Sequence, residues 1–151
     1  MCFQFVMRIV IDTNIILGAI FKRRETISRK IIRYCLEGRL APLIGETLFL
    51  EYEDGLSRKD LIQKSALSMQ EINDLLDAFL SCCEWVKVYY RWRPNLKDED
   101  DNHIIELAVA GKADYVITRN ISDLKSGELI FSHIKIITPE DFIKEVTLWE
   151  H

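Results

Sequence analysis

The chain has 151 residues, a length that one domain fills and that buries a sizeable core without disulfide or metal staples. It is 48% hydrophobic and 29% charged with a formal net charge of -4, which excludes nucleic-acid binding by bulk positive charge alone. No apolar run reaches the roughly 18 uncharged residues of a membrane span, and Met1 to Met7 lacks the basic start and small-residue cleavage site of a secretory signal.

Cys2, Cys35, Cys82 and Cys83 follow no metal-ligand spacing, and the adjacent pair Cys82 and Cys83 is not expected to form an ordinary disulfide. They read as reduced thiols, which predicts a cytoplasmic protein without a zinc site. Met7 is a second candidate start, and its use would make residues 1–6 an upstream extension.

The β-branched run Ile9, Val10 and Ile11 ends at a polar stop, which predicts a buried first strand over 8–12. A helical stretch follows through Phe21. Over 26–37, Ile27, Ile31, Tyr34 and Cys35 recur at helical spacing, and Gly38 stands where a C-terminal glycine belongs. "LAPLI" at 40–44 reads as a second strand, and Gly45 leads into a helix over 46–56 with Leu48, Phe49, Tyr52 and Leu56 inward. Residues 58–65 suit a short helix. Ser68 and Glu71 have capping-box spacing, with an apolar stripe of Ile72, Leu75, Leu76, Phe79 and Leu80 behind them. "EWVKVYY" at 84–90 alternates in part and predicts a third strand nearer an edge. The acidic segment after Pro94 predicts a helix from about 99 to 110, closed by Gly111. "YVIT" at 115–118 is a fourth strand, and a last one near 134–137 leads to "TPEDFIKEV", with Thr138 as N-cap and Pro139 at the first helical position. Alternating strands and helices predict a three-layer α/β/α sandwich around a mainly parallel sheet, in one domain over 1–151.

In such a sheet, ligands bind beyond the carboxyl ends of the strands. Asp12 closes the first strand at that edge, Thr118 ends the fourth, and Asn120 and Asp123 follow it. Asp98 and Asp101 stand three apart at a helix start, on one face, where the first reads primarily as a cap. Glu51 lies mid-helix between Leu50 and Tyr52. Thr13 and Asn14 serve the turn into the first helix, or orient Asp12 through their hydroxyl and amide. His103 reads as a helix-surface or hydrogen-bonded histidine, and Glu99 and Asp100 as solvated first-turn acids. Convergent carboxylates repel one another, so a fold tolerates them only with protons, basic partners or a cation as compensation. Hard oxygen ligands suit Mg²⁺ or Mn²⁺ and phosphoryl chemistry. Lys22, Arg23, Arg24, Arg29 and Arg33 crowd one region, which is either a solvated helix face or a phosphate-contacting patch.

"RIVIDTNIIL", "LFLEYEDGL", "DEDDNHIIELAVAGKADYVITRNISDL" and "IKIITPEDFI", in this order, resemble the PIN-domain family, especially the VapC-type toxins of bacteria and archaea. The resemblance covers most of the chain. It implies a Mg²⁺- or Mn²⁺-dependent ribonuclease, with Asp12, Glu51 and Asp101 matching the family's three core acidic positions. A fourth acid often follows closely on the Thr of the fourth strand, and here that place is held by Asn120; Asp123, three residues on, is the expected substitute. The implied catalytic and metal-binding set is therefore Asp12, Glu51, Asp101 and Asp123, supported by Thr13, Asn14, Asp98, Thr118 and Asn120; if the basic cluster Lys22, Arg23, Arg24, Arg29 and Arg33 is the phosphate-contacting patch, RNA is what it contacts. The family also implies a homodimer and a small antitoxin partner. Two other readings stand beside it. One is a PIN-like RNA-binding or partner-binding module with weakened chemistry; the other is an aspartyl-nucleophile phosphatase, whose Asp-x-Asp pattern would need an acid where Asn14 stands.

Overall fold

A computed structural model describes residues 6–21, 26–88, 102–121 and 133–149. The first strand, β1 (Met7–Ile11), has parallel neighbours on both sides, which explains why its apolar residues run together instead of alternating. Ile9, Val10 and Ile11 are buried to within 1%. β2 (Leu40–Ile44) lies on one side of β1 and β4 (Tyr115–Ile117) on the other. β3 (Glu84–Trp85) and β5 (Lys135–Ile137) form the edges, so the sheet runs β3-β2-β1-β4-β5 with every pairing parallel. The chain thus moves outward from β1 to β3 and then returns to the other side of β1. The crevice between β1 and β4 is the point where strand order reverses, the place where open α/β sheets bind ligands.

Seven helices among the described residues flank this sheet and make the expected three-layer sandwich: α1 (Thr13–Phe21), α2 (Thr26–Leu36), α3 (Glu46–Leu56), α4 (Lys59–Lys64), α5 (Met69–Cys82), α6 (Asn102–Ala110) and α7 (Pro139–Trp149). Their starts follow the local signals. Ser68 Oγ accepts the Glu71 N–H while Glu71 Oε1 accepts the Ser68 N–H, both at 3.1 Å, completing the capping box of α5. Thr138 Oγ1 accepts the Asp141 N–H at 3.2 Å ahead of Pro139. α6 packs on β1, β2 and β4, while α2 packs against α1, α5 and α7.

Among the described residues of the expected third strand, only Glu84 and Trp85 pair, with Leu43 and Ile44. The Val86 N–H still donates to the Ile44 carbonyl at 2.9 Å, and Val86 and Val88 pack against the core, so the partial alternation of 84–88 reports burial that extends beyond the paired residues; residues 89 and 90 lie outside the described residues, as do 99–101 of the expected acidic helix. At the amino edge of the sheet, Arg8 ties three elements together. Its guanidinium binds Glu84 at 2.6 Å and the Gly111 carbonyl at 2.8 Å, and its backbone N–H donates to Asp114 Oδ2 at 3.0 Å. Cys35, Cys82 and Cys83 are free thiols. No helix among the described residues is long and apolar enough to cross a membrane.

Candidate metal centre

Asp12 is the first residue past β1, and both strands beside the crevice fix it. Its backbone N–H continues the ladder to the Ile117 carbonyl of β4, and its own carbonyl accepts the Ile15 N–H, each at 3.0 Å. The carboxylate accepts hydrogen bonds from Thr118 Oγ1 at 2.7 Å and from the Thr13 backbone N–H. Thr118 is fully buried, and its hydroxyl also accepts the Asn120 N–H at 3.0 Å, which leaves its proton for Asp12. Asp12 therefore does shape the turn into α1, yet it also commits one oxygen to a residue 106 positions away.

Glu51 arrives from α3. Its neighbour Tyr52 is buried and donates its hydroxyl to the Ile11 carbonyl, tying α3 to the last residue of β1 and bringing Glu51 to the same edge. Thr13 Oγ1 donates to Glu51 Oε1 at 3.0 Å, and His103 Nε2 lies 2.9 Å from Glu51 Oε2. A carboxylate only accepts, so the proton of that last bond is assigned to Nε2.

Burial pushes the Asp12 carboxyl above its ordinary range; the Thr118 and Thr13 hydrogen bonds oppose this, the Glu51 charge adds to it, and His103 offsets part of it. Glu51 moves the other way, because the His103 hydrogen bond holds it below the ordinary range against the pull of burial, with help from Thr13. Other acids around the sheet have basic partners, Glu84 with Arg8, Glu145 with Lys135 and Glu140 with Arg119. Among the described residues neither Asp12 nor Glu51 has a Lys or Arg partner.

That imbalance fits a cation. Two hard carboxylates from β1 and α3, each held by hydroxyl donors, make an oxygen donor set suited to Mg²⁺ or Mn²⁺, and a bound cation would remove the cost of keeping Asp12 charged beside Glu51. Two carboxylates are a nucleus and not a full ligand set; among the described residues no three His, Cys, Asp or Glu side chains gather around one point. Asp98, Asp101 and Asp123 lie outside the described residues, as do Lys22, Arg23 and Arg24. Asn14 is exposed in the first turn of α1, and Asn120 is exposed and contributes its backbone N–H. Arg29 and Arg33 lie on α2 along an apolar cavity of about 570 Å³ whose lining comes from α1, α2, α5, Ala66 and Leu67 and includes neither carboxylate. Arg29 Nε donates to the Ala19 carbonyl near the end of α1 at 2.7 Å.

The sequence alone leaves His103 as an ordinary helix histidine. The only local signal for another role is its place two residues after Asp101, since its partner Glu51 is 52 positions away.

A family model described as PIN domain matches residues 8–122. Among solved structures, the chain is similar to one in the crystal structure of VapBC2 from Rickettsia felis bound to a DNA fragment from their promoter. The TM-score is 0.57 at 18% identity, over 87% of this chain and 98% of that one. At this identity the likeness is one of fold. No curated protein matches.

Proposed function

The chain belongs to the PIN-domain family, and from that premise we propose that it is a Mg²⁺- or Mn²⁺-dependent endoribonuclease, the toxin of a toxin–antitoxin pair. PIN domains are generally nucleases that use divalent metal ions. The observation that carries the reading is the pair Asp12 and Glu51 at the strand-reversal crevice, held from β4, α1 and α6 and lacking any Lys or Arg partner among the described residues.

In this reading Asp12 and Glu51 bind the cation, and Asp101 and Asp123 complete the set. A bound divalent cation neutralises phosphate charge and makes water a competent nucleophile near neutral pH. The chain's own contribution is placement. Thr118 and Thr13 each occupy one carboxylate lone pair, so the remaining lone pairs keep a fixed direction without side-chain reorganisation. Asn120 donates its backbone N–H to Thr118, with its amide oxygen free in this reading to ligate or to position water, and Asp123 supplies the fourth carboxylate. Asn14 and Asp98 support the turns beside Asp12 and Asp101, and Lys22, Arg23, Arg24, Arg29 and Arg33 meet RNA phosphates.

The solved neighbour is part of a VapBC2 assembly, which supports an antitoxin as partner for this chain; a homodimer as the resting state in the cytoplasm is the remaining part of this reading. Light scattering on the purified protein reads the dimer directly, and a monomer at high concentration would remove that part.

Asn120, standing where the family often has its fourth acid, favours one rival, a binding module without chemistry. Cleavage of a mixed RNA pool with Mg²⁺, Mn²⁺ or EDTA separates the two. Wild-type protein should cut only with metal, and Asp12→Asn should lose at least about 100-fold, since even partners outside the ligand shell are worth 10–100-fold. Asp123→Asn should lose far more than Asn120→Ala. Metal-dependent cutting retained by Asp12→Asn would overturn the assignment.

A further inference from the structure

His103 sits in the first turn of α6 with only 13% of its side chain exposed, and the one hydrogen bond described for its ring runs to Glu51. Nδ1 is buried and has no partner among the described residues. The ring thus makes no described bond that serves α6 itself. A histidine kept to stabilise a helix start would be expected to satisfy backbone groups there, and a solvated one would not be buried. Glu51 meanwhile has both oxygens engaged, Oε1 by Thr13 of α1 and Oε2 by His103 of α6. Two donors from different helices fix the carboxylate plane, which a single donor would leave free to rotate. His103 also follows Asp101 by two residues, so its bond sets how the start of α6 stands relative to α3.

We propose that His103 is a positioning residue of the cation site: by donating Nε2–H to Glu51 Oε2 it holds the Glu51 carboxylate in the orientation that receives the metal, an inference that rests on the nuclease reading above. It does not touch substrate, and its effect passes through Glu51. Metal-orienting partners of this kind generally change affinity or activity by 10–100-fold when removed.

The test compares wild type, His103→Leu, His103→Gln and Asp12→Asn by calorimetric titration with Mn²⁺ in the absence of RNA, followed by steady-state cleavage. Leucine removes the donor at similar bulk, whereas the glutamine amide nitrogen donates from nearly the place of Nε2. His103→Leu should bind Mn²⁺ about 10–100-fold more weakly and lose kcat by a similar factor, with KM for RNA unchanged. His103→Gln should recover most of both. If His103→Leu fails to fold, His103→Asn takes its place, since its amide nitrogen lies near the Nδ1 position and cannot reach Glu51 as glutamine does. Wild-type Mn²⁺ affinity in His103→Leu, or equal losses in the glutamine and leucine variants, would show that the ring only packs. Failure of the nuclease reading looks different: wild type and Asp12→Asn would then bind Mn²⁺ alike or not at all, and the proposal for His103 would fall with it.

Discussion

Asp12 bears opposite demands in folding and in chemistry. Its carboxyl is raised above the ordinary aspartate value of 3.8 by burial, more than the Thr118 and Thr13 hydrogen bonds restore. The folded state therefore binds this proton more tightly than the unfolded chain does. Between the ordinary value and the raised one, stability falls as pH rises, and at neutral pH the ionised group works against the metal-free fold. Glu51 has the reverse sign: its lowered value, due first to His103, contributes stability above the ordinary glutamate range, and that contribution is lost as pH falls through the lowered value. Asp12→Asn should consequently raise the denaturation midpoint of metal-free protein at pH 7, an advantage that shrinks as pH is lowered through the raised value to 3.8. Paired urea titrations in EDTA at the two pH values check this, and a variant less stable than wild type at neutral pH would contradict it. Asp12 was legible because a carboxylate directly after a buried strand is unusual on local grounds. Glu51 has no such local signal, since mid-helix it looks like any surface acid; the family resemblance alone picked it out, and the Tyr52 hydroxyl on Ile11 reveals why it reaches the sheet edge.

Element placement rests on close approaches that no side chain announces. Gly111 follows α6, and a Cβ there would lie 2.6 Å from Leu43 Cδ1, 3.1 Å from Val86 Cγ2 and 3.2 Å from the Leu107 carbonyl. Gly111→Ala should force α6 away from β2 at a cost of about 1–3 kcal/mol, read as a lower denaturation midpoint with unchanged slope. Because α6 carries His103 to Glu51, the same variant should also weaken Mn²⁺ binding, which an overpacked site remote from the metal would not do. Gly111 was legible as a helix terminator, whereas its crowding against Leu43 was not, because that contact joins residues far apart in sequence. Helix starts were read correctly where the signal is local: Ser68 with Glu71, and Thr138 with Pro139. Over the described residues 86–88 the third strand was overextended, because alternation records which side chains are buried, while pairing depends on a neighbour, and β2 pairs with it at Leu43 and Ile44.

For the molecule as a whole, the crevice between β1 and β4 is where fold stability and ligand binding are most directly coupled. At the carboxyl edge Arg119 pairs with Glu140, whereas Asp12 and Glu51 have no Lys or Arg partner among the described residues and only His103 beside Glu51. A chain of net charge -4 gains from a cation at the edge where its charge is uncompensated. A cation bound only by the folded state at about 100 times its Kd adds roughly 2.7 kcal/mol, and a chain of this size gains about 2–4 °C per kcal/mol. Wild-type Tm should therefore rise by roughly 5–11 °C with saturating Mn²⁺ and return with EDTA. Asp12→Asn should start higher than wild type in EDTA and shift little with Mn²⁺, so that the two proteins exchange rank when metal is added. Thermal melts of both across a Mn²⁺ series decide it. Parallel shifts would mean that the metal binds elsewhere on the acidic surface, whereas the exchange of rank ties metal stabilisation to the residue that burdens the metal-free fold.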